Sequence, residues 1–275
     1  MLNLIRADIY RVIRGKALYI TFAVLLAVIL LNVAATHAVQ TGVIVIPDMV
    51  AEDTPHVSVG ITAVTEGDGV TGISIANPLT VSMENYVFFL LPIIIVVAGA
   101  IFSHGTVKND LAWGVSRTKL YFSKLILASV LCVIMLIFYY VSGMLIATIW
   151  GGFGGPAPDG FWIGLLQIIA AQLVLLFSYI AFGVFLAFTT KRTAAVNGAY
   201  IAFVFVPLFL FMILSTINSN LNWLLDFEML SNLMNLARLP YLETREILRA
   251  LGIGTFVLVA STAGGVALFR RAEIK

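Results

Sequence analysis

The stretch "SHGTVKNDLAWGVSRTKLYFSK", Ser103 to Lys124, decides how this chain is read, because it is a polar, cation-bearing island between two long apolar runs. The runs on either side, Asn85 to Ser103 and Tyr121 to Trp150, each approach or exceed the ~20 helical residues that cross ~30 Å of hydrocarbon at ~1.5 Å per residue. Read as two membrane spans, they make the island a connection on one side of a bilayer. The rest of the chain then sorts itself by alternation.

Composition supports spans. Of the 275 residues, 61% are hydrophobic and 11% charged, and the mean hydropathy is +1.04, well outside the range of a water-soluble domain. Four further runs complete a set of six: Ala17 to Val39, Phe161 to Thr189, Ala199 to Ile217 and Leu251 to Phe269. The first is 23 residues long, more than the apolar part of a typical signal peptide, and reads as a retained span. Helices are expected throughout, since unpaired backbone groups are costly in lipid and the runs lack the short alternating pattern of a barrel. The fold class is therefore an all-α membrane protein, a six-helix bundle.

Orientation follows from the cations. With the N-terminus inside, thirteen Lys and Arg fall on the inner side, and Arg238, Arg245 and Arg249 are left outside. The acids mirror this, with Asp8, Asp110 and Glu273 inside. Both termini are expected in the cytoplasm. Because the cations are spread over several inner segments, they form no nucleic-acid patch. At the start, "MLNLIRADIYRVIRGK" places Leu2, Ile5, Ile9, Val12 and Ile13 on one helical face with Arg6, Arg11 and Arg14 elsewhere. Residues 1–16 are expected as a helix along the inner leaflet, against lipid.

Two outer segments are long. Residues 40–84 carry no Lys or Arg, and "HVSVGITAV" and "VTGISIA" alternate as edge strands do, so a small cap or an ordered loop is expected. Residues 218–250 place Leu224, Phe227, Leu230, Leu233 and Leu236 at helical spacing. Too polar to span, they suit interfacial or re-entrant helices broken near Pro240.

Within the island, residues 105–119, Val107 and Leu111 share a helical face, Asn109 and Asp110 are good early or capping residues, and Gly114 can close the turn. Ser116 then reads as the N-cap of the third span. The expected product is a short helix across the membrane plane, joined to two spans. The other inner connection, "KRTAAVNG", is only eight residues.

The order of these residues closely resembles the loop between the second and third spans of ABC-2 type transporter permeases, of pattern G-T-x-K-N-x-L-x-x-G-x-S-R-x-x-x-x-x-S-K. Gly105, Thr106, Lys108, Asn109, Leu111, Gly114, Ser116, Arg117, Ser123 and Lys124 match; Asp110 departs mildly from the usual uncharged residue. The N-terminal "NLIRADIYRVIRGKALYI" is also similar to that family's segment before its first span. The resemblance implies half of an exporter in a bacterial plasma membrane, paired with a second permease copy, as a homodimer, and resting on a cytosolic ATP-binding cassette ATPase. Lys108 to Gly114 would be the coupling helix docked on the ATPase, with Ser116 and Arg117 anchoring it to the third span and the N-terminal helix beside it.

Absent motifs agree with a chain that takes its power elsewhere. There is no G-x-x-x-x-G-K-[ST] loop, so ATP and magnesium are expected on the partner and no cofactor on this chain. Neither H-E-x-x-H nor G-x-S-x-G occurs, Cys132 is the single cysteine, and His37 and His56 fall on the opposite side from His104. No enzyme activity is expected. The six runs contain no acid, unlike ion-coupled transporters, which keep one near the midplane. The amides Asn32, Gln167 and Gln172 suit interhelical hydrogen bonds, or contact with a transport path for the two glutamines. Pro92 and Pro207 interrupt the second and fifth spans and permit bends that could serve gating. So apolar a set of spans suits an amphipathic or lipophilic cargo: a membrane-active peptide, drug or lipid. The competing reading is a membrane-anchored scaffold or regulator that recruits a cytosolic partner without transport.

Overall fold

Each long apolar run folds as a helix in a computed structural model of the chain, which describes residues 2–41, 70–103, 105–157 and 159–272. Among these residues every regular element is helical and there is no strand. The order is α1 (Leu2–Arg14), α2 (Lys16–Gln40), α3 (Ala76–Val81), α4 (Met83–Ile94), a π-helical turn (Ile95–Gly99), α5 (Ala100–Ser103), α6 (Thr106–Ala112), α7 (Arg117–Gly151), α8 (Phe161–Thr190), α9 (Thr193–Ile217), α10 (Met229–Asn235) and α11 (Thr244–Arg271). Two 3₁₀ segments, Ser219–Phe227 and Leu236–Tyr241, flank α10. Six helical stretches are long and apolar enough to cross a membrane: α2, the run from α4 through α5, α7, α8, α9 and α11. The chain is a multi-pass membrane protein by this measure.

Several limits differ from those read off hydropathy. The third span begins at Arg117 rather than Tyr121, the fifth at Thr193 rather than Ala199, and the sixth runs from Thr244 to Arg271 rather than from Leu251 to Phe269. Helical hydrogen bonding continues into polar turns that hydropathy cuts off. The eight-residue connection expected at "KRTAAVNG" is two residues, with Lys191 in the left-handed region (φ 55°) closing α8 through a bond from its N–H to Ala187 O. With the longer limits, Glu84 and Glu246 enter the end turns of spans, so these spans are not acid-free at their ends.

"HVSVGITAV" lies outside the described residues. "VTGISIA" is not a strand: Thr71 and Ser74 exchange side-chain and backbone hydrogen bonds, and the turn leads into α3. The helical spacing in residues 218–250 is broken at Glu228 as well as near Pro240. Glu228 is extended (φ −78°, ψ 131°), and its buried carboxylate accepts N–H bonds from Leu230 and Ser231 as the N-cap of α10. Burial pushes that carboxyl above its ordinary value, and the two N–H bonds oppose the rise.

The bundle is organised around α8, which packs most extensively against α11 and also against α9, α4 and α7; α2 packs on α7. Close approach uses small residues. A Cβ on Gly183 would collide with Ile94, and one on Gly265 would collide with Tyr121. Buried tyrosines tie the helices together: Tyr86 Oη donates to Cys132 O (2.7 Å), Tyr200 Oη to Val87 O (3.0 Å) and Tyr139 Oη to Leu79 O (3.1 Å). A hydroxyl in an apolar core gains from a partner, and for these three a backbone carbonyl of a neighbouring helix provides it. Much of the outward side of α9, including Val206, Phe209 and Ile213, is exposed and apolar, as a lipid-facing surface requires.

The amides divide. Gln172 is buried in α8, and its Nε2 donates to Thr80 O and Leu233 O, both at 3.1 Å, tethering α3 and α10. Gln167 is exposed on the same helix. Asn32, expected to bond between helices, instead donates to Val28 O of its own helix. Pro92 lies two residues before the end of α4, and the helix beyond it widens into the π turn Ile95–Gly99. Pro207 sits inside α9, which continues past it.

Candidate functional site at the basic end

Four features gather at one end of the bundle: α1, α6, the α8–α9 turn and the C-terminus of α11. Its Lys and Arg make this the basic end of the bundle. Asn109 and Asp110, expected as early or capping residues, occupy the middle of α6, which starts earlier, at Thr106. Gly105 (φ 64°) and Gly114 (φ 77°) bracket α6, and both need the left-handed backbone that glycine adopts without cost. Gly114 N–H bonds Leu111 O at 3.0 Å and ends the helix. On the inner face of α6 Val107 is buried and Leu111 half-buried against the core, while Lys108 is exposed. Trp113, just past the helix, is 88% exposed. An indole so placed is an apolar surface without cover.

Ser116 is the N-cap of α7: its backbone is extended and its Oγ accepts from Lys119 N–H at 3.4 Å. The next residue does something spacing did not reveal. The resemblance implies Arg117 as an anchor between the short helix and the third span; in the structure its Nη1 donates to Phe269 O (3.1 Å), Arg270 O (2.8 Å) and Ala272 O (2.7 Å). It caps the C-terminus of α11, where unpaired carbonyls and the negative end of the helix dipole favour a cation. Arg270 Nε returns a bond to Thr118 Oγ1 at 3.0 Å. The third and sixth spans are thus bolted together immediately behind α6.

The second brace joins α1 to α7. Lys124 is 1% exposed, and its Nζ lies 2.5 Å from Asp8 Oδ2. Arg11 Nη2 stands 3.2 Å from Asp8 Oδ1, an ion pair without a hydrogen bond. The side turned to the bundle carries Asp8 and Val12, both buried, whereas Ile9 and Ile13 point outward, 39% and 51% exposed. The ion pair decides the rotation of the helix, because a buried ammonium requires its carboxylate partner. Arg6 is exposed, and Arg14 lies over the Tyr10 ring at 4.5 Å. No single signal in the sequence joins Asp8 to Lys124, 116 residues away; the hint was one acid in a basic segment and one lysine inside an apolar run.

Of the residues singled out from sequence, the structure gathers Leu111, Gly114, Ser116, Arg117 and Arg11 into this end, with Lys108 and Arg6 on its exposed rim. It places Pro92, Pro207, Gln167 and Gln172 elsewhere. Among the described residues no cluster of three or more His, Cys, Asp or Glu is placed to hold a metal ion. Mechanically, the arrangement offers a short lever with an exposed aromatic tip on a braced mount. Compared with models of known families and with curated proteins, the chain finds no match.

Proposed function

We propose that this chain is the permease subunit of an ATP-binding cassette exporter of the ABC-2 type, in which the basic end faces the cytoplasm and α6 with Trp113 docks on a separate ATPase. The observation that carries the reading is the mounting of α6: a seven-residue helix between two left-handed glycines, followed by an exposed tryptophan, in front of a base where α1 is locked to the third span by Asp8–Lys124 and the third span to the sixth by Arg117. A push on α6 would therefore be delivered to several spans at once, as nucleotide-driven transport requires. The bias of Lys and Arg supports the orientation, and the resemblance of residues 105–124 to the permease loop supports the partner. Two copies, each with an ATPase, would form the exporter, moving an amphipathic or lipophilic cargo outward across a bacterial plasma membrane.

Two measurements test this. Cys132 is buried, so a cysteine introduced as Trp113→Cys is expected to react with a membrane-impermeant maleimide only in inside-out vesicles, and Asp159→Cys only in right-side-out ones; the reverse pattern overturns the orientation. Purified chain is also expected to bring down an ATPase with a phosphate-binding loop, and Gly114→Pro to lower its cargo-stimulated hydrolysis at least several-fold. A tightly held partner with no ATPase activity would favour the scaffold reading instead.

A further inference from the structure

The end of the bundle remote from α6 is hollow. A cavity of about 460 Å³ lies between α4 and α9 beneath the 3₁₀ segment and α10. Its volume is in the range of pockets that hold drug-sized ligands, ~300–1,000 Å³, and is too small for a folded peptide. One wall is aromatic: Phe88 and Phe205 stack with centroids 5.3 Å apart and planes 25° from parallel. Leu208 and Met212 extend that wall along α9.

The polar lining is asymmetric in how it is satisfied. Asp226 is neutralised by Arg249, 2.8 Å away. Arg238 is exposed, so water and salt screen its charge. Glu84, in the first turn of α4, is half-buried, and among the described residues no cation or hydrogen-bond donor is paired with its carboxylate. An ionised carboxylate in an apolar site lacks the counter-charge that would offset its lost hydration. A ligand that brings a positive charge and an apolar aryl body would meet both deficits, stacking on Phe88 and Phe205 and offsetting Glu84.

We propose that this cavity is a binding site for a small amphipathic organic cation, with Glu84 as the charge-selecting residue and Phe88 and Phe205 as the apolar platform. As the cargo site of an exporter it rests on the function proposed above; as a binding site it does not. The test uses the full chain in phosphatidylcholine nanodiscs, without ATPase or nucleotide, with labelled tetraphenylphosphonium as probe. Saturable binding at one site per chain is expected. Glu84→Gln and Phe205→Ala should each weaken it on the order of tenfold, and Glu84→Asp should restore most of the loss. Tetraphenylborate, of the same shape and opposite charge, should not compete. Where Glu84→Gln does not fold, Leu208→Trp, which fills the cavity without touching a charge, should abolish saturable binding. Uptake that rises linearly with probe, binding that Glu84→Gln or Leu208→Trp leaves unchanged, or equal competition by tetraphenylborate overturns the site. Each result leaves the ATPase partnership to its own experiment.

Discussion

The two ends of the bundle handle charge in opposite ways. At the basic end, three cations are fastened: Lys124 to Asp8, Arg117 to three carbonyls at the end of α11, Arg270 to Thr118. At the other end the backbone is broken into short turns, held by the Gln172 amide and the Glu228 cap, and Glu84 faces a cavity. One end is braced and the other is open. A machine that receives force at one end and holds a molecule at the other would be built this way, since a lever is useful only on a rigid base and a ligand needs unfilled volume.

The largest effect should come from breaking the brace. Lys124→Met leaves Asp8 buried without its main counter-charge, and a loss of roughly 3–5 kcal/mol of stability is expected; the double variant with Asp8→Asn should recover much of it. Thermal unfolding in detergent reads both, and a double variant no more stable than Lys124→Met would show that the pair itself is not the brace. A smaller effect is expected at the open end. Gln172→Leu deprives the carbonyls of Thr80 and Leu233 of a donor, at roughly 1–3 kcal/mol. Hydrogen exchange should rise in 229–241 with 106–124 unchanged; equal loosening of both ends would erase the contrast drawn here.

The smallest effect is a pH dependence. Glu228 has its carboxyl raised above 4.5 by burial, so the native state holds that proton where the unfolded chain has released it. The associated stability is fully present below the unfolded value and is lost as pH rises through the raised native one. Melting temperature should therefore carry a component that increases on acidification from neutral pH, and Glu228→Gln should remove it. Parallel pH curves for the two proteins would assign the component to another group.

The six spans were legible because each is a long apolar run, and hydrocarbon thickness sets a length that sequence can be counted against. Ser116 and Gly114 were legible for a related reason: a cap and a left-handed stop are local devices. What local pattern does not carry is the partner that a side chain finds far along the chain. The buried side of α1 is set by a lysine 116 positions from its partner, and Arg117 holds a helix end 152 to 155 residues away. Asn109 and Asp110 looked like caps because their propensity is strong, but Val107 packs into the core and carries the helix start back to Thr106.

What the chain's order of residues determined alone is that it crosses a membrane about six times as helices, with its cations gathered at one end, since hydropathy and charge act through each residue's own exchange with water and lipid. Which cations are tied down, where the second span widens after Pro92 and which carboxylate is left facing a cavity were decided only by tertiary packing, because each depends on what a second segment brings to within a few ångströms.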